Sequence, residues 1–280
     1  MIVIKSPFEL DILLNRLRGS KKKIGFVATM GALHNGHISL IERSKSENDT
    51  TVCSIFVNPK QFNDVEDLEK YPRPIEADIK LLTESKTDIL FLPSIQDIYP
   101  INYIELLINL NGFDNNLEGK LRPGHFQGVA QVVKQLFNFV KPDKAYFGQK
   151  DYQQTLVIKQ IVKQFKLPLE IVICAILREE NGLAMSSRNI RLTIEQRNKA
   201  EFIYKTLLDL KENIKIMSYN EAIEKGKESI LKNEGAIVEY LTIVDAETLL
   251  PIESIKDIEC AIAWVVVNYF GVRLLDNIYL

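Results

Sequence analysis

The sequence predicts an α/β fold for its first two-thirds, a parallel sheet with both faces covered by helices, followed by a smaller α+β unit. Three observations predict it. Short apolar runs alternate with amphipathic stretches as far as Leu177. Two charged amphipathic helices then follow one another without a strand between them. Three further apolar or alternating runs close the chain, with a turn signal between the last two. Strands that alternate with helices imply a parallel sheet buried on both faces.

Taken in order, Lys23–Thr29 (KIGFVAT) reads as a buried strand, His37–Glu47 as a helix and Thr51–Val57 (TVCSIFV) as the next strand. Ile75–Ser85 carries Ile75, Ile79, Leu81 and Leu82 at helical spacing, and Asp88–Leu92 (DILFL) is a strand ending at Pro93. Phe126–Phe139 reads as a helix, Lys144–Phe147 as a strand, Tyr152–Phe165 as a helix and Leu169–Leu177 (LEIVICAIL) as a further buried strand. Thr193–Glu212 and Tyr219–Leu231 are the two charged helices. Val238–Val244, Glu259–Tyr269 and Val272–Tyr279 are the closing runs, with Gly271 at a hairpin turn. The expected domains are therefore 1–177 and 178–280.

Composition bounds the function classes. A chain of 280 residues, 46% apolar and 26% charged, is about right for two globular domains. The net charge of −2, from 35 basic and 37 acidic residues, gives no electrostatic footprint for nucleic acid or an anionic membrane. The N-terminal MIVIKSPFEL lacks the charged-then-apolar pattern of a signal peptide, and the longest apolar run, Cys260–Val267, is far short of a membrane span. A cytoplasmic protein is expected. Cys53, Cys174 and Cys260 each sit in an apolar, strand-like run without metal-ligand spacing, so each is expected to be a buried free thiol.

The strongest chemical signal is Thr29-Met30-Gly31-Ala32-Leu33-His34-Asn35-Gly36-His37, where the first strand gives way to the first helix. Backbone N–H groups and the helix dipole favour phosphate at such a junction. Two imidazoles three positions apart add donors for phosphoryl oxygens, and Gly36 lets an adenine ring lie against the backbone. Zinc is the rival reading of His34 and His37, but the third histidine, His125, is distant in sequence and no cysteine neighbours any of the three. A second signal is Phe147-Gly148-Gln149-Lys150-Asp151-Tyr152-Gln153-Gln154, again at a strand-to-helix junction. Parallel sheets bind ligands at the carboxyl ends of their strands, and a solvated loop is the plain alternative. A third is Met185-Ser186-Ser187-Arg188-Asn189, where an anion grip and a helix-capping cluster stand as equal readings. The segments Val57–Phe62 and Arg122–Phe126 place further polar groups in loops on the same side.

The histidine motif resembles the signature of the nucleotidyltransferase superfamily. The ordered set TMGALHNGH, VNPKQF, YPRP, LEGKLRPGHFQGV, FGQKDYQQ and GLAMSSRN resembles the pantothenate synthetase (pantoate–β-alanine ligase) family, over about Gly25–Asn189 and again at Arg273–Asn277. The resemblance implies a Rossmann-like nucleotide-binding domain and a C-terminal α+β lid. It implies an ATP-dependent ligase that activates pantoate as an acyl-adenylate and passes it to β-alanine, working as a homodimer. ATP would meet Met30, Gly31, Ala32, Leu33, His34, Asn35, Gly36 and His37, then Gly148, Gln149, Lys150 and Asp151, and finally Leu177, Met185, Ser186, Ser187 and Arg188. His34, His37, Lys150 and Arg188 would be the catalytic groups. Gln61 and Gln154, with Asn58 and Glu118, would hold pantoate and β-alanine, and Asp78 matches a position linked to Mg2+. This chain departs from the pattern at Ala28, usually proline, and at Ala77, where some members carry another carboxylate. A simpler nucleotidyltransferase has no evident need of Gln61 and Gln154. An RNA-binding relative is disfavoured by the near-neutral charge, and an ATP sensor without catalysis by the retention of His34, His37, Lys150 and Arg188.

Overall fold

The computed structural model describes residues 1–252 and 260–280. The chain divides into two compact units, Met1–Cys174 and Ala175–Leu280.

The first unit opens with β1 (Ile2–Ile4) and α1 (Pro7–Gly19), neither of which stood out in the sequence. Ser6 caps α1 by accepting the Glu9 N–H, and Pro7 occupies the first helical position, where a missing N–H costs nothing. Then come β2 (Ile24–Thr29), α2 (Asn35–Glu47) and β3 (Thr50–Ile55), with α3 (Val65–Glu69), α4 (Ile75–Glu84), β4 (Ile89–Phe91) and α5 (Ile95–Ile98) behind them. The unit continues through α6 (Leu117–Leu121), α7 (His125–Val140), β5 (Lys144–Gly148), α8 (Tyr152–Gln164) and β6 (Glu170–Cys174). Strands β1 to β6 form one parallel sheet in the order β1-β4-β3-β2-β5-β6.

Side chains alternate across each strand, and both faces are buried. Phe26 of β2 packs on one face with Leu10 and Leu14 of α1, Val133 and Phe137 of α7 and Ile158 of α8. Its neighbour Val27 packs on the other with Leu40 and Ile41 of α2, Leu82 of α4 and Tyr146 of β5. Each such side chain contributes about 1.5–3 kcal/mol by leaving water. The strand order reverses direction between β2 and β5, since β3 and β4 lie on one side and β6 on the other. That reversal splays the loops after β2 and β5 apart and opens a crevice at the carboxyl ends of the strands.

The second unit holds α9 (Ile194–Lys199), α10 (Phe202–Asn213), α11 (Tyr219–Leu231) and the antiparallel strands β7 (Ala236–Asp245), β8 (Ala261–Tyr269) and β9 (Val272–Tyr279) in that order. The expected single helix Thr193–Glu212 is two helices. Thr193 caps α9 in a capping box with Gln196, and the chain tightens at Ala200, whose N–H reaches Arg197 O and whose own carbonyl accepts from Ile203. That tightening seats Ala200, Phe202 and Ile203 together in the unit's core against Ala263, Val265 and Tyr269. Of the expected strand Glu259–Tyr269, Glu259 lies outside the described residues. Phe270 and Gly271 both take positive φ, 48° and 78°, as a two-residue hairpin turn requires.

Of the three cysteines, Cys53 is the buried free thiol expected, and Cys174 and Cys260 depart from expectation. Cys53 is buried, and burial pushes its thiol up to about 12, so it is inert at neutral pH. Cys174 is only half-buried, because β6 is an edge strand, and Cys260 is exposed. Among the described residues no helix is long and apolar enough to cross a membrane.

Candidate active site

The turn after β2 is built on backbone geometry that few residues adopt. Thr29 Oγ1 donates to Ser54 O on β3 and accepts the Gly31 N–H. Gly31 (φ 81°) and Ala32 (φ 50°) then both take the left-handed conformation. The N–H groups of Ala32 and Leu33 point to one place, the carboxylate of Asp78 in the first turn of α4, at 2.9 and 2.7 Å. Asp78 is 2% exposed, and burial pushes its carboxyl above the ordinary range against the pull of those two donors.

His34 is the N-cap of α2. Its Nδ1 accepts the Gly36 N–H at 3.1 Å, and His37 Nδ1 accepts the His34 N–H at 3.3 Å. The two rings lie 4.1 Å apart. Each Nδ1 is an acceptor, so each proton resides on Nε2. Burial and the neighbouring His34 take His37 down to about 3, which keeps it neutral at physiological pH. The charges of Lys150 and Asp151 also act on His37, in opposite senses, so the loop after β5 faces the loop after β2. Lys150 Nζ lies 3.1 Å from Asp151, in the 3-10 turn Gln149–Asp151 that leads into α8.

A second cluster follows β3. Asn58 caps the 3-10 turn Pro59–Gln61, and its Nδ2 donates to Gln61 Oε1 at 3.1 Å and to Gly128 O at 3.0 Å. Tyr99 donates to Asn58 Oδ1 at 2.8 Å. Gln61 Nε2 lies 2.9 Å from Met30 Sδ, which joins this cluster to the histidine turn. A Cβ at Gly128 would stand 2.2 Å from Lys60 O, so only glycine lets α7 come this close to the turn. His125 Nδ1 donates to Gln61 O at 2.8 Å, leaving Nε2 to accept from Arg122 at 3.2 Å. Burial, then the Arg122 charge, takes His125 down to about 4.

On α8, Gln154 is half-buried and Gln153 is 1% exposed. Gln153 accepts the Glu118 N–H at 3.1 Å and donates to Phe113 O and Asn116 O at 2.6 and 2.8 Å, which fastens α6 and its buried Glu118 to α8. The first unit thus brings Met30 to Gln61, Gln61 to Asn58, and His37 under the influence of Lys150. Sequence reasoning passed over Gln153 and Tyr99 and gave no role to His125; the adjacent Gln154 and the segment Arg122–Phe126 were the available signals.

Leu177 and Met185–Arg188 lie in the second unit. Ser186 Oγ accepts the Arg188 N–H and caps the 3-10 turn Ser187–Arg191, so the capping role is realised. Arg178 meets Asp276 of β9 at 2.5 and 3.0 Å, and Glu179 holds Asn189 and Arg197. These bonds fix the segment that carries Met185–Arg188, and one of them ties it to Asp276.

Magnesium is not matched by a donor set. Among the described residues no three or more His, Cys, Asp or Glu side chains gather to hold a metal ion, and both Asp78 oxygens already accept backbone N–H groups.

A doubly wound parallel sheet with two neutral imidazoles at its switch point, facing a lysine loop, defines a nucleotide-binding α/β enzyme. A family model described as pantoate-beta-alanine ligase matches residues 2–279. The chain belongs to that family. It is 47% identical to the pantothenate synthetase of Cytophaga hutchinsonii over 99% of each chain. It is similar to the crystal structure of pantothenate synthetase from Thermus thermophilus, with TM-score 0.91 and 41% identity over 99% of each chain. It is similar also to pantoate-beta-alanine ligase from Francisella tularensis complexed with beta-gamma ATP and beta-alanine, with TM-score 0.81 and 38% identity over 99% of this chain and 97% of that one.

Proposed function

We infer that the chain joins pantoate to β-alanine at the expense of ATP, through a pantoyl-adenylate formed at the carboxyl ends of β2 and β5. The observation that carries this reading is the pair of Nε2–H imidazoles, His34 and His37, at the N-terminus of α2 on the switch point. A pantoate carboxylate oxygen attacks the α-phosphorus of ATP, and the bond to the pyrophosphate oxygen breaks. Charge develops on phosphoryl oxygens, so catalysis is positioning plus donors aimed at those oxygens. The two imidazoles and Lys150 supply such donors, and the dipole of α2 favours the anion beside them. Neutral imidazoles serve as donors without having to be protonated, so they work at any physiological pH. The β-alanine amine then attacks the pantoyl carbonyl, AMP leaves, and the amine proton passes to solvent. No protein nucleophile is needed.

Gln61 and Gln154, each able to donate and accept, suit a hydroxy acid, while Asn58, whose amide is engaged with Gln61, Gly128 and Tyr99, holds Gln61 in place beside it. The bond between Gln61 and Met30 supports placing that acid next to the nucleotide. Buried Glu118 belongs to the same reading. Leu177 and Met185–Arg188 are kept as nucleotide contacts on the family likeness alone, as are homodimerisation and a cytoplasmic location. Magnesium enters with its substrate, as MgATP.

The test is isotope exchange. Pyrophosphate exchange into ATP is expected to require pantoate alone, while AMP release requires pantoate and β-alanine together. Exchange that waits for β-alanine would exclude the acyl-adenylate order.

A further inference from the structure

We propose that Asp78 is a positioning residue for the nucleotide turn, holding Gly31 and Ala32 in their left-handed path, and that it binds no metal. Successive backbone N–H groups in such a turn form a concavity that receives an anion. Here the concavity is already filled, by the chain's own carboxylate. Asp78 Oδ2 accepts from Ala32 at 2.9 Å and Oδ1 from Leu33 at 2.7 Å. A Cβ at Gly31 would lie 3.0 Å from Asp78 Oδ2 and 3.1 Å from Ile55 Cγ2, so the carboxylate and β3 press on the turn from both sides.

The need for such a clamp lies in Ala32. Its Cβ disfavours φ 50°, and glycine, which adopts that angle freely, is not there to supply it. Left alone, the turn would relax, and with it the nearby His34, whose place as N-cap of α2 fixes both imidazoles. The N–H groups of Ala32 and Leu33 are consequently spent on Asp78 and not on a phosphate. A metal would have to reach a carboxylate that is 2% exposed and already accepts two backbone N–H groups.

The test uses the full chain with Asp78→Asn, which keeps the shape but turns one acceptor into a donor facing an N–H. Native-state amide exchange of the unliganded protein is expected to quicken at Ala32 and Leu33 by about tenfold or more, with the amides of β2 unchanged. The pyrophosphate–ATP exchange rate is expected to fall by about tenfold or more at saturating ATP and pantoate. The free Mg2+ concentration giving half-maximal rate should stay where it is in the parent. Adding Ala32→Gly to Asp78→Asn should restore part of the rate, because glycine needs no clamp. A half-maximal Mg2+ concentration raised about tenfold, with recovery at high Mg2+, would make Asp78 a metal ligand and overturn the proposal. Unchanged exchange at Ala32 and Leu33, or quickening spread evenly through β2, would overturn it as well. The rate measurements rest on the ligase reading, whereas amide exchange does not, so the two can fail separately.

Discussion

At the scale of single residues, hydrogen bonds to the backbone set the tautomer and orientation of the side chains in the proposed site. His37 is held as a neutral Nε2–H donor by the His34 N–H on its Nδ1. Replacing it by alanine removes a donor from developing charge, and we expect His37→Ala to slow adenylation about 10²–10³-fold while leaving pantoate affinity nearly intact. Single-turnover rates beside calorimetric titration of pantoate check this; near-parental adenylation would contradict it. The neighbours Gln153 and Gln154 should separate cleanly. Gln154→Ala is expected to raise KM for pantoate with ATP affinity unchanged. Gln153→Ala leaves the Glu118 N–H and the Phe113 and Asn116 carbonyls without their partner, and should cost about 1–3 kcal/mol in a denaturant melt. If Gln154→Ala instead lowers stability and leaves pantoate binding alone, its assignment falls.

At the scale of elements, the sequence was legible where periodicity is strong and opaque where tertiary contacts decide. Tyr219–Leu231 and Val272–Tyr279 match α11 and β9 end for end. The strand β1 escaped notice because it has three residues, two of them exposed, and α1 because exposed Phe8 and Ile12 blur the face set by Leu10 and Leu14. The histidine, glutamine and lysine motifs could be read as motifs. The clamp by Asp78 and the anchor by Gln153 could not, since their partners lie 46 and 35 residues away in sequence. The contact between α7 and the Asn58–Gln61 turn is of the same kind, and it yields a prediction. Gly128→Ala puts a methyl 2.2 Å from Lys60 O, so the turn must shift, carrying Asn58 and Gln61 with it. We expect KM for pantoate to rise by about tenfold or more, because misplacement of about 1 Å has effects of that order or larger. Unchanged pantoate kinetics in a folded variant would show that the turn does not hold the acid.

At the scale of the whole molecule, two histidines, His125 buried and His37 half-buried, tie stability to pH. His37 and His125 titrate at about 3 and about 4 in the folded chain, below the ordinary value near 6.5. Between those values the unfolded chain binds protons that the folded chain refuses. Their contribution is therefore fully present above pH about 6.5 and is lost as pH falls toward about 4 for His125 and about 3 for His37. The melting temperature should decline over that window. In His125→Gln, which keeps a donor for Gln61 O, the decline should be shallower. An equally steep fall in the variant would remove His125 from the account.

The tautomers of His34 and His37 also decide what this pocket refuses. A bare lone pair on nitrogen is what zinc or copper seeks, and two rings 4.1 Å apart would otherwise make a ready trap. Here both Nδ1 lone pairs are turned into the chain's own backbone, and an ion approaching either Nε2 meets an N–H bond. Held in this way, neither ring offers zinc or copper a lone pair unless one of those two bonds breaks.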